Sequence, residues 1–221
     1  MKKIITKDGS ITYYNENFSE HYHSISGAEE EALKKFILPS LKYLDKVNNQ
    51  INILDVCFGL GYNSAAAIDE LIKNNKNLKI KIIALENDIN ILNNILNLES
   101  NFKSYNKIKE CIKNNYYYED ENLIIEIILG NGIEEIKKLN KKFKNKFDLV
   151  FHDPFSRTKM PEFWSEDFFK DEYVLLKKGG ILTTYSCSKS IRENLKKVKF
   201  KIYDIDPVGR KAPSTLAIKL L

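Results

Sequence analysis

Cysteine is scarce. Cys57, Cys111 and Cys187 are the three in 221 residues, too scattered for a disulfide framework and without a Cys-x-x-Cys pair or histidines at ligand spacing, so no zinc site is indicated. His21 and His23 stand two apart with no third ligand near them, which leaves surface or substrate contacts, and no metal, as the expectation. Long apolar runs are missing too. Nothing approaches membrane-spanning length, and the N-terminus Met-Lys-Lys-Ile-Ile-Thr-Lys-Asp carries no apolar leader, so a cytoplasmic protein without membrane contact is expected. With no Pro/Ser-rich linker and no internal repeat, a second globular domain has no support. Neither sign of charge dominates: 35 Lys and Arg against 30 Asp and Glu give +5, which permits a polyanionic partner without requiring one.

What is present is a chain with 43% hydrophobic residues, enough for one sizeable core. It is organised around Asn52 to Ser64. An apolar run with Ile51, Ile53 and Val56 contains Asp55 near its end, Gly59 and Gly61 follow, and Ala65 to Ala67 open a helical pattern. Strand, tight turn and helix in this order bring bare N–H groups and a helix N-terminus against a ligand. Asp55 can orient the turn or receive a cationic group. A second run, Lys79 to Leu85, ends in Glu86, where a carboxylate can accept ribose hydroxyls or cap the helix beginning near Asp88. Ser64 stands where a dinucleotide fingerprint has its third glycine, so the pattern suits S-adenosylmethionine better than a nicotinamide cofactor.

The remaining pattern alternates strands and helices. Lys7-Asp8-Gly9-Ser10 reads as a hairpin turn, and residues 1–25 as a β extension laid over the ligand edge of a domain covering 26–221. A helix from Ser26 has acids first and lysines later, and Pro39 is expected to kink or restart it. Residues 99 to 121, with the Tyr116 to Tyr118 triplet, are expected as a helix and a loop. The strand Leu123 to Leu129 precedes Gly130 and Asn131, which is either an adenine contact or an ordinary turn residue. The strand Phe147 to His152 ends in Asp153-Pro154-Phe155-Ser156, and two final strands pair antiparallel. The expected fold is α/β, the Rossmann-like seven-stranded sheet of class I methyltransferases, with helices on both faces. Asp55, Glu86, Asn131 and Asp153 then gather at the strands' carboxyl ends. Acid, proline and aromatic at the fourth strand end resemble the Asp/Asn-Pro-Pro-Tyr/Phe motif of amino methyltransferases, which implies a target amino group: Asp153 can accept its proton or align it, or is simply a turn starter.

Several segments together carry a resemblance: Asp8-Gly9-Ser10, Glu20-His21-Tyr22-His23-Ser24, Leu54 to Asn63, Asp153-Pro154-Phe155-Ser156, Pro161-Glu162-Phe163-Trp164-Ser165 and Thr183-Thr184-Tyr185-Ser186. In this order they resemble the MnmC methyltransferase-domain family. The resemblance implies S-adenosylmethionine-dependent methylation of the aminomethyl group on wobble 5-aminomethyl-(2-thio)uridine in tRNA, without a fused oxidase, so that a separate enzyme supplies the amine. A different RNA base, a protein or a small-molecule amine is the alternative acceptor. By the same resemblance Asp55, Phe58, Gly59, Gly61, Asn63, Glu86, Gly130 and Asn131 bind the cofactor. Asp153 and Phe155 are catalytic, and Trp164, Tyr185 and Lys211 meet the substrate. Lys189, Arg192, Lys196, Lys197, Arg210 and Lys211 form a phosphate-binding face or a solvated one. The chain departs from the family at Asn131, Arg157 and Ala212.

Overall fold

The computed structural model describes residues 1–44 and 49–220. Residues 45–48 and Leu221, which fall within the span expected as the main domain, lie outside the described residues. The N-terminus forms a three-stranded antiparallel sheet of β1 (Lys2–Ile5), β2 (Ile11–Asn15) and β3 (Glu20–His21) in that order. Asp8 shapes its first turn by accepting the Ser10 N–H at 3.0 Å and the Thr6 hydroxyl at 2.6 Å. The same turn caps the following helix. Asp8 accepts the Glu30 N–H at 3.0 Å and Ser10 Oγ accepts that of Ala28 at 3.0 Å, satisfying first-turn donors that Gly27 has no side chain to reach.

Residues 28–43 make one continuous helix, in which α1 (Ala28–Glu31) and α2 (Leu38–Tyr43) flank a π-wound turn, Ala32–Ile37. The irregularity expected at Pro39 falls ahead of it. Pro39 has no N–H for the Lys35 carbonyl and its ring crowds that carbonyl, so the preceding turn widens. Three consecutive residues, Lys35, Phe36 and Ile37, are buried there.

The main sheet has the order β10-β11-β9-β8-β4-β5-β7-β6. Its members are β4 (Gln50–Val56), β5 (Lys79–Glu86), β6 (Tyr117–Glu119), β7 (Leu123–Leu129), β8 (Phe147–His152), β9 (Leu176–Thr184), β10 (Phe200–Ile205) and β11 (Ser214–Lys219). The central strands β9, β8, β4, β5 and β7 are parallel, whereas β11, β10 and β6 are added antiparallel. Among the described residues the sheet thus has eight strands, one more than the seven expected. The extra one is β6, from the tyrosine triplet read as loop. Positive φ at Asn115 (54°) and Tyr116 (66°) turns the chain back, and Tyr117 and Tyr118 then pair with Glu126 and Ile125 on the open edge of β7.

Both faces of the sheet are covered. Ile51 and Ile53 of β4 and Ile82 of β5 pack into one apolar cluster, while Leu54, Val56, Ile83 and Leu85 of the same strands pack into the other. Each of these side chains, fully withdrawn from water, contributes about 1.5–3 kcal/mol. The helices α3 (Tyr62–Asn74), α4 (Ile89–Ile95), α5 (Tyr105–Lys113), α6 (Gly132–Lys142), α7 (Glu166–Leu175) and α8 (Lys189–Lys197) complete the layers. β4 lies between β5 and β8, so the strand order reverses direction there and leaves a crevice at the carboxyl ends. Among the described residues no helix is long and apolar enough to cross a membrane.

Candidate active site

A cavity of about 510 Å³ opens at that crevice, between the main sheet and the N-terminal extension. On one side the β4–α3 turn carries Gly59 at φ 56° and Gly61 at φ 74°, left-handed conformations that favour glycine. A Cβ on Gly61 would lie 2.7 Å from the buried Phe58 ring, so Phe58 supports the turn from beneath. Glu86 ties turn to sheet: its carboxylate accepts Gly59 N–H at 2.8 Å, Asn87 N–H at 2.8 Å and Asp88 N–H at 2.9 Å. Burial nevertheless raises its proton affinity. Capping of α4 falls to Asp88, which accepts the Asn90 N–H at 2.9 Å and the Tyr22 hydroxyl at 2.8 Å.

On the other side Asp153 follows β8. Its N–H donates to the Val56 carbonyl at 3.1 Å, and its Oδ2 accepts from Asn63 Nδ2 at 2.9 Å. Burial, with the nearby Glu31 charge, holds its carboxyl well above the usual carboxylate range. Phe155 stacks on Phe18 with ring centres 4.7 Å apart and meets the edge of Tyr22 at 4.9 Å. The loop is pinned by Glu20, which accepts both the N–H and the hydroxyl of Ser156, and by Tyr185, whose hydroxyl donates to the Pro154 carbonyl at 3.1 Å.

Of the residues expected at the site, Gly59, Glu86, Asp153, Phe155 and Tyr185 line the cavity. Asp55, Phe58, Gly61 and Asn63 stand behind its wall. Gly130 donates to the Glu86 carbonyl at 2.8 Å, and Asn131 caps α6 by accepting Ile133 N–H at 3.0 Å; both stand outside the lining, at the end of β7. Trp164 is placed differently from a stacking platform. It is 1% exposed, and its Nε1–H donates to the Phe155 carbonyl at 2.8 Å, so it braces the ring that faces the cavity. Lys211 is exposed outside the lining, while Arg210 reaches the rim with its guanidinium committed to the carbonyls of Tyr185, Ala212 and Pro213. Arg192 bridges α8 to Asp204 and Thr215, whereas Lys189 stays exposed. His21 is exposed and His23 buried, with its imidazole pushed down to about 4 by burial.

Sequence reasoning missed Glu31 and Lys35, which line the cavity as a buried ion pair. Their i, i+4 spacing was visible but is the ordinary pattern of a solvated helix face.

A family model for S-adenosyl-L-methionine-dependent methyltransferases matches residues 96–220. The crystal structure of MnmC2 from Aquifex aeolicus superposes with a TM-score of 0.82 at 35% identity, covering 98% of this chain and 70% of that one. This chain belongs to the MnmC-like S-adenosylmethionine-dependent methyltransferases. An uncharacterized protein of Methanocaldococcus jannaschii is 32% identical over 98% of this chain and 59% of its own length. The tRNA 5-methylaminomethyl-2-thiouridine biosynthesis bifunctional protein MnmC of Leptospira interrogans is 22% identical over 94% of this chain. The chain spans 34% of that bifunctional protein.

The cavity of this MnmC-like chain fits the family's cofactor chemically. Beside the glycine turn, Asp55 is fully buried with Oδ2 accepting the Ser64 hydroxyl at 2.6 Å, while Oδ1 has no hydrogen-bond partner among the described residues. An orphaned acceptor next to a cavity rimmed by carboxylates suits a ligand bearing positive charge. Without a ligand, burial lifts the Asp55 carboxyl to about 7. A raised folded-state value means that this group favours the fold most below its unfolded value, near 4, and that the contribution is lost as pH rises through about 7. The ligand-free protein is therefore expected to melt lower at pH 8 than at pH 5 by an increment that Asp55→Asn removes. For one such carboxylate this is up to about 3 kcal/mol, or several degrees, measurable by thermal melts at both pH values.

Proposed function

We propose that this protein methylates a primary amine, the aminomethyl group of wobble 5-aminomethyl-(2-thio)uridine in tRNA, using S-adenosylmethionine. The observation that carries the reading is Asp153: a half-buried carboxylate at the end of β8, held by Asn63 and walled by Phe155 and Tyr185. The name of the Leptospira interrogans relative, a tRNA 5-methylaminomethyl-2-thiouridine biosynthesis protein, supports a product of this kind.

When bound, S-adenosylmethionine supplies an electrophilic methyl carbon. The turn at Gly59, the Glu86 carboxylate and buried Asp55 are the groups assigned to hold it. The acceptor amine must present a lone pair, yet a primary alkyl amine with a pKa of about 10 is mostly protonated at neutral pH. Asp153 takes that proton. Its raised proton affinity narrows the gap between carboxyl and ammonium, so the transfer is less uphill than to an exposed carboxylate. Asn63 fixes the carboxylate's direction, and Phe155 offers an aromatic face for the uracil plane. Arg157 and Lys159, exposed just beyond the lining residue Ser156, and Lys211 beside Arg210 are the cations placed to meet backbone phosphates. A separate enzyme, or a segment outside this chain, would expose the amine first.

The test is methyl transfer from labelled S-adenosylmethionine to tRNA carrying the wobble aminomethyl group, followed by nucleoside analysis. A methylaminomethyl product, with an apparent affinity for tRNA that falls with salt, is the expected result. Cofactor binding without transfer to that tRNA would sink the acceptor assignment and direct the search to other RNA bases, proteins or small amines.

A further inference from the structure

The mechanism above leaves unused an ion pair in the cavity wall. Lys35 Nζ lies 2.5 Å from Glu31 Oε1, and Glu31 Oε2 accepts the Ser24 N–H at 2.7 Å. Lys35 is 3% exposed and Glu31 8%, yet both line the cavity with Asp153. A buried pair of this kind is commonly no more stabilising than two apolar residues of the same shape, so stability alone does not account for it. It also straddles the start of the π-wound turn Ala32–Ile37, a winding that recurs at functional sites.

The position tells what the pair can do. Glu31 and Asp153 sense each other: the Glu31 charge raises the proton affinity of Asp153, and Lys35 partly offsets it. Two carboxylates facing one space are relieved by a cation between them, and an ammonium group brings three donors for their oxygens. Lys35 holds one Glu31 oxygen and Ser24 N–H the other, which fixes that carboxylate in direction. His23, on the same wall, is uncharged at neutral pH and adds no competing cation.

We propose that Glu31, braced by Lys35, determines acceptor specificity: with Asp153 it forms a two-carboxylate seat that takes a protonated primary amine and discriminates against an uncharged isostere. The proposal rests on the reading of Asp153 as the acceptor's partner and deepens it. The amine docks as a cation between two carboxylates, then gives one proton to Asp153, leaving a neutral amine and a protonated Asp153.

The experiment is calorimetric titration of 5-aminomethyluridine and of 5-methyluridine into the protein saturated with S-adenosylhomocysteine. Wild type is compared with the Glu31→Gln/Lys35→Met double variant, which replaces the ion pair with an uncharged pair of similar shape. Wild type is expected to prefer the aminomethyl nucleoside by about tenfold or more and the double variant by no more than about twofold, with S-adenosylhomocysteine affinity unchanged. Equal binding of the two nucleosides by wild type, or a preference that survives in the double variant, overturns the proposal. Should the double variant not fold, Glu31→Asp, which withdraws the carboxylate from the seat, is read in the same way. A wild-type protein that prefers the aminomethyl nucleoside but methylates no tRNA would overturn the tRNA assignment and leave the seat standing.

Discussion

Replacing Asp153 with Asn is expected to lower kcat for amine methylation by about 10²- to 10⁴-fold, the range associated with removing a positioned general base. The amide keeps an oxygen for Asn63 Nδ2 but cannot take a proton from the substrate. Affinity for S-adenosylmethionine should stay within about twofold, because the loss is confined to a step made after binding. The pH profile separates this from a packing defect. In wild type the acid limb should lie above the ordinary carboxylate range, since burial and the Glu31 charge both raise Asp153. In the variant that limb disappears, and the residual rate should climb about tenfold per pH unit toward the amine's own pKa, because only the neutral fraction reacts. A variant that retains the wild-type limb would remove Asp153 from the proton path.

The second large effect is expected at Glu86. Its two oxygens take N–H groups from two different segments, Gly59 on one side and Asn87 with Asp88 on the other. A glutamine has one acceptor and one donor end, so Glu86→Gln satisfies one segment and sets its NH₂ against the other. Loss of a charge-assisted contact of this kind is worth about 1.5–3 kcal/mol, so the affinity for S-adenosylmethionine should fall about 10- to 100-fold by calorimetry. The fold should survive, because the β4, β5 and β7 ladder does not use the side chain. Unchanged affinity would assign Glu86 to the turn alone and leave cofactor recognition to Asp55 and the backbone.

How far the site was legible in the sequence differs from residue to residue. Asp55, Glu86 and Asp153 were identifiable because each closes an apolar strand run, and parallel strands deliver their ends to one edge. Trp164 shows the limit. Its motif was plain, but an indole after a proline can face a ligand or the core, and only packing against His152 and Tyr185 decides for the core. Glu20 and Phe18 were equally opaque, since their contacts with Ser156 and Phe155 join residues more than a hundred positions apart. The tyrosine triplet reads as loop because three residues are too few to show a period, and the open edge of β7 supplies the partner that makes it a strand.

By itself, then, the sequence determined the alternation of strands and helices, the glycine turn and the class of chemistry, since these depend on local periodicity and on residues adjacent in the chain. The tertiary structure alone decided which charges are withdrawn from water. Glu31 and Lys35 have the same spacing as Glu30 and Lys34, one residue earlier, yet the second pair lies on the surface and the first in the cavity wall. The reason is rotational: one step along a helix turns a side chain by about 100°, and the packing of that helix against α3 and β9 selects the side that faces inward.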